Sequence, residues 1–187
     1  MMRLTTGVTI FVFTCFLASF FTPSVVASDY VSNFTYFPVA EGKPPKVADW
    51  HLTPRIIVCD YAPISKTQLK SAVKFWEKLG HKFFTSQYKH DPLGKCNQPS
   101  PIGYILIHLA RQGLKIGEKS LAETHFFIDN EKKEIEWAVI YLRNDVRSTV
   151  LEHEIGHSLG YLHYNGINHL MNEKWTMGGW ETKGLRK

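Results

Sequence analysis

His153, His157 and His163 are spaced so that three imidazoles can converge on one cation. On an α-helix, residues four apart share a face, so His153 and His157 can meet the same ion. Gly160 falls where that helix should end, and glycine enters the left-handed conformation cheaply, which permits a sharp reversal. The reversal lets His163 return as a third ligand. Three neutral imidazoles plus water make the open tetrahedral site expected of catalytic zinc. Glu154 follows the first histidine and can approach the metal without ligating it. A carboxylate there can hold a water activated by the ion and take its proton. A purely structural zinc site has no use for such a base and usually fills all four positions with protein ligands. His51, His81, His90, His108 and His125 lack this spacing and read as surface or satisfied core histidines.

The elements that must hold these residues can be read from periodicity. Val150, Leu151, Ile155 and Leu159 give the histidine-bearing segment an apolar side, which predicts a helix over residues 146–159. A second helix starts after Ser65, a candidate N-cap, with Leu69, Ala72, Val73, Trp76 and Leu79 on one face and Gly80 as its stop. Residues 55–60 are short, β-branched and bounded by Pro54 and Pro63, as in a buried strand. Residues 82–86 are a candidate strand, and residues 102–109 a stronger one. Residues 121–129 and 135–142 read as two more strands joined by the polar turn at 129–133, a hairpin. Residues 91–101 and 161–187 are rich in turn formers and read as loop-dominated. There is no internal repeat and no low-complexity segment.

The chain has 187 residues, 44% hydrophobic and 21% charged, which suits one globular domain with a real core. Its start follows a different logic. Arg3 precedes an almost continuous apolar run over residues 7–21, and small residues at Val25 and Ala27 follow. This is the order of a secretory signal peptide over residues 1–27, cleaved after Ala27. The alternative is an uncleaved membrane anchor, but the run is short for a bilayer span of roughly 20 residues. Cleavage removes Arg3 and no acidic residue, so the net charge falls from +5 to +4. Scattered lysines and arginines predict no nucleic-acid partner. Cys15 leaves with the signal, while Cys59 and Cys96 remain as an even pair in a chain bound for an oxidising compartment. A bridge between them would close a loop of about 37 residues; two buried free thiols are the alternative. Residues 28–54 form an irregular, proline-rich leader or a short pro-segment, with a glycosylation sequon at Asn33, and residues 55–187 form the domain proper.

The stretch from His153 to His163 resembles the metzincin signature HExxHxxGxxH, and Met171 resembles the methionine of that family's downstream turn. The strand–helix–strand opening and the hairpin before the histidine helix are similar to small matrixin-type catalytic domains. The resemblance spans about residues 55–172. It implies an α+β, metzincin-like (zincin) fold: a twisted mixed β-sheet, an active-site helix and a backing helix, with a short C-terminal subdomain. It also implies that Met171 forms an apolar floor beneath the metal, and that a peptide substrate lies extended along an edge strand, for which residues 121–128 are the best candidate. Tyr164, after the third histidine, matches neither the aspartate of matrixins nor the glutamate of astacins, so the subfamily stays open. There is no cysteine-switch motif before the domain. Calcium is common in the wider family, but residues 129–136 form no recognisable calcium loop. Trp175, Met177 and Trp180 either wall a specificity pocket or pack the tail.

These readings predict a secreted or periplasmic, monomeric zinc-dependent endopeptidase of the metzincin type, with one catalytic Zn²⁺ and a peptide or protein substrate. His153, His157 and His163 are the expected metal ligands, and Glu154 the expected general base and proton shuttle. Two other readings remain at this stage. One is a catalytically silent, zinc-stabilised binding or structural protein; the other is a membrane-anchored processing protease with one dedicated target.

Overall fold

The computed structural model describes residues 42–99, 101–110, 120–129, 131–144, 146 and 149–187. The expected signal peptide, the Asn33 sequon and the first part of the expected leader lie outside the described residues. Among the described residues, no helix is long and apolar enough to cross a membrane.

The chain forms β1 (Asp49–Trp50), β2 (Arg55–Val58), α1 (Lys66–Lys78), β3 (Thr85–Tyr88), β4 (Tyr104–Leu109), β5 (Ala122–Asp129), β6 (Glu134–Leu142) and α2 (Val150–Ser158). Short 3-10 turns occur at Lys95–Asn97 and Trp175–Met177. β3, β2, β4 and β6 run parallel in that order, and β5 closes the far side antiparallel to β6. β1 adds two residues in parallel to the start of β6. Glu134 and Ile135 pair with β5 as well, so β1 lies on the side of β6 where β4 takes over from Ala138. The sheet is therefore mixed, with two helices.

Strand alternation explains the layering. Ile56, Val58, Ile105, Ile107, Ala138, Ile140 and Leu142 face the helices and meet Leu69, Ala72, Trp76, Val150, Leu151 and Ile155. The intervening Ile57, Leu106 and Val139 face the other way, into a smaller layer with Cys59 and Tyr104. Strands apolar on both faces are what a parallel sheet requires. The Cys59–Cys96 pair is bridged, with Cα atoms 5.8 Å apart, and ties the 91–99 loop to that second layer.

α1 begins with a capping box: the Gln68 N–H donates to Ser65 Oγ, and the Ser65 N–H donates to Gln68 Oε1. Its buried face is the expected one, and Gly80 follows its end at φ +94°. Two indoles lock the helix layer in place. Trp76 Nε1 donates to the Glu152 carbonyl at 2.9 Å, and Trp50 Nε1 to the Ser158 carbonyl at 2.8 Å.

Three boundaries differ from the sequence expectation. α2 begins at Val150 rather than 146, because Thr149 adopts φ +74° and breaks helical geometry. β3 lies at Thr85–Tyr88 rather than 82–86, in register with β2. Residues 46–50, irregular by sequence, join the domain: Val47 and Ala48 are buried and Lys46 bridges to Tyr161. After Ser158 the chain makes only the 3-10 turn and isolated bridges.

β5 is an edge strand: it pairs with β6, and among the described residues with nothing on its other side. The Arg143 N–H donates to the Leu121 carbonyl, so residues 121, 123 and 125 bond towards β6. By the same alternation, Ala122 and Thr124 turn their backbone N–H and C=O groups to the free edge. Register is unbroken until the shift between Phe127 and Ile128.

Candidate metal centre

α2 and the turn after it bring His153, His157 and His163 together. Their Nε2 atoms stand 2.9 Å (153–157), 3.2 Å (157–163) and 3.3 Å (153–163) apart. Three nitrogens bound to one tetrahedral zinc at 2.0–2.1 Å would be about 3.3–3.4 Å apart, close to this spacing. The outer ring nitrogens settle the tautomers. His153 Nδ1 lies 2.6 Å from the Leu170 carbonyl and His157 Nδ1 lies 2.8 Å from the Tyr161 carbonyl. A carbonyl only accepts, so both Nδ1 atoms carry the proton and both Nε2 lone pairs point inward. Converging lone pairs at this distance repel unless a cation lies between them, so the donor set fits a metal ion. Among the described residues this is the one His/Cys/Asp/Glu cluster with that geometry.

Burial keeps two of the three imidazoles neutral. It pushes the His153 imidazole down to about 3, with the neighbouring His157 charge adding to the effect. It pushes His157 down to about 4. Both are therefore unprotonated at neutral pH, the state a metal requires.

The turn that delivers His163 is held from several sides. Gly160 has φ +90°, and a Cβ there would collide with the Ala48 backbone carbonyl oxygen, so both conformation and space demand glycine. The Gly160 carbonyl accepts from the Val47 N–H, and the Leu162 N–H donates to the Pro45 carbonyl. Tyr161 stacks on Trp76 and donates its hydroxyl to the Leu185 carbonyl. The residues just before β1 thus brace the turn between the second and third histidines.

Met171 is fully buried, and its sulfur packs on Gly156 inside α2. The loop that carries it is tied to the third histidine's segment, because the Tyr164 N–H donates to the Met171 carbonyl at 2.8 Å. His169 fastens the same loop. Its Nδ1 accepts from the Met171 N–H, and its Nε2–H donates to the Lys183 carbonyl.

Glu154 is 1% exposed and lies with His153 in the wall of a small cavity of about 40 Å³ that Trp175 also lines. Thr124, on β5, donates its hydroxyl to Glu154 Oε2 at 2.5 Å. Of the three tail residues singled out by sequence, only Trp175 borders this cavity. Met177 and Trp180 are exposed, and Trp180 packs on Phe75. A larger hollow of about 630 Å³ lies on the opposite face of the sheet, around the disulfide and His108. Among the described residues, none of its lining side chains belongs to a group of three that could share an ion.

The other histidines stay apart from the triad. His81 is buried with Nε2 on the Leu185 carbonyl. His51 pairs with Glu134 and His125 with Glu123. His108 lies beside Cys59, and His90 is exposed. Sequence reasoning missed Gly156, Thr124 and His169. A glycine inside a helical pattern is a signal for close packing; Thr124 and His169 carry no spacing signal.

No protein-family model matches the chain, and no curated protein matches it. Among solved structures it is similar to metalloproteinase-II from Bacteroides fragilis, at 14% identity and a TM-score of 0.38. The match covers 73% of this chain and 53% of that one, so this chain spans about half that protein's length. A likeness so distant decides nothing about chemistry.

Proposed function

We propose that this chain is a zinc-dependent endopeptidase of the metzincin type, exported by cleavage near Ala27 and acting as a monomer on peptide or protein substrates. The observation that carries this reading is the convergence of three imidazole nitrogens beside a buried carboxylate that does not join them.

His153, His157 and His163 would hold the ion. When bound, zinc supplies Lewis acidity, activating water and polarising a peptide carbonyl. Glu154 accepts the proton of the attacking water and passes it to the leaving amine. The free edge of β5 aligns an extended peptide by adding it to the sheet, through the backbone groups of Ala122 and Thr124. Neutral His153 and His157, fixed by their Nδ1–H bonds to the Leu170 and Tyr161 carbonyls, would hold the ion at neutral pH. Three converging ligands leave a coordination position open, which supports catalysis over a purely structural zinc.

Metal analysis of the purified mature protein, paired with a general peptide-library cleavage assay, tests the proposal. One zinc per chain together with endoproteolytic products is expected. Zinc without hydrolysis of any peptide would favour the non-enzymatic reading.

A further inference from the structure

We infer that Thr124 is a positioning residue for Glu154, joining the general base to the strand that would carry the substrate. This rests on the peptidase reading of the site. The Thr124 hydroxyl donates to Glu154 Oε2 at 2.5 Å and lies 3.2 Å from the Glu154 carbonyl oxygen. Both residues are buried, at 4% and 1% exposure. A hydroxyl has one proton, and the shorter contact to the carboxylate takes it. The threonine therefore fixes the carboxylate's rotation against the helix that also carries His153 and His157.

Its place in the sheet gives this bond a second meaning. The backbone N–H and C=O of Thr124 face the free edge of β5, where an extended peptide would pair. Its side chain stands off the face of the sheet, onto α2. One residue thus touches the substrate's path with its backbone and the base with its hydroxyl.

The test compares Thr124→Val, which keeps the shape, with Thr124→Ser, which keeps the hydroxyl. On a cleavable peptide, Thr124→Val should lower kcat tenfold to a hundredfold with KM nearly unchanged, and Thr124→Ser should restore most of it. A clamp that only held strand to helix would instead move melting temperature and metal content. The readout without turnover is the affinity of the cobalt-substituted protein for acetohydroxamate, followed in the visible spectrum. That ligand shares its hydroxyl proton with a correctly placed carboxylate. Affinity should fall about tenfold in Thr124→Val, and the fall should vanish when Glu154 is already Gln, because the threonine acts through the glutamate. Thr124→Ala serves the same comparison if the valine variant does not fold.

Equal kcat and equal hydroxamate affinity in wild type and Thr124→Val, with peptide hydrolysis intact, overturn the inference and leave the peptidase reading standing. A hydroxamate effect that depends on Glu154, in a protein that cleaves no peptide, does the reverse. Failure to bind cobalt overturns both.

Discussion

Met171 packs so closely on Gly156 that a Cβ at residue 156 would lie 2.5 Å from its sulfur. The same Cβ would lie 2.9 Å from Cζ2 of Trp76, whose indole is pinned to the Glu152 carbonyl. Gly156 precedes His157, so the helix that carries two histidines of the triad rests on the methionine through a residue with no side chain.

Gly156→Ala therefore sets two effects against each other. Alanine gains roughly 1 kcal/mol of helix propensity. Overpacking costs about 1–3 kcal/mol, since Met171 and Trp76 are both fully buried and must shift to admit the new methyl. The expected result is net destabilisation in chemical denaturation, with weaker zinc binding as Met171 is displaced. A variant as stable as wild type would show that the methionine loop yields freely.

Gly160→Ala should be worse. The new side chain meets the Ala48 backbone rather than a flexible tip, and the left-handed conformation adds about 1–2 kcal/mol for a residue with a Cβ. Relief requires the turn to open, which withdraws His163. Loss of zinc by equilibrium dialysis is expected even where the sheet and helices persist by circular dichroism.

Acid should destabilise the metal-free protein through the two buried histidines of the triad. In the fold, His153 and His157 resist protonation until about pH 3 and 4. In the unfolded chain they protonate near 6.5. Below that point the unfolded state binds more protons, so stability present above about pH 6.5 is lost as pH falls towards 4. Each histidine contributes a slope of up to about 1.4 kcal/mol per pH unit. Melting temperature against pH checks this, and His153→Asn or His157→Asn should flatten the curve between pH 4 and 6.5.

The Cys59–Cys96 bridge closes a 37-residue separation on the face of the sheet away from the triad. Removing it with a Cys59→Ser, Cys96→Ser pair should cost about 3–4 kcal/mol on the chain-entropy account. Zinc stoichiometry should be unchanged at temperatures where the variant remains folded. Loss of metal from a folded variant would contradict the separation of the two regions.

The site was legible wherever spacing carries the chemistry. His153 and His157 sit four apart on a helix, Gly160 reverses the chain, and His163 follows, so the triad could be read from the sequence. The α1 face and the β5–β6 hairpin were legible for the same reason, through helical and alternating periods. What escaped depends on partners distant in sequence. A two-residue strand has no period, so β1 could not be read from the sequence, nor could the packing of Ala48 on Gly160. Alternation assigns Thr124 to the helix-facing side of β5 but does not say that Glu154 waits there. The start of α2 failed because one left-handed residue, Thr149, overrides an apolar pattern that extends to Val146.

The most direct test of the account is peptide hydrolysis by Glu154→Ala protein whose zinc content is measured in the same sample. Full zinc occupancy is expected, since Glu154 stands outside the His153, His157 and His163 cluster, with hydrolysis abolished. Hydrolysis at the wild-type rate by the zinc-loaded variant would contradict it.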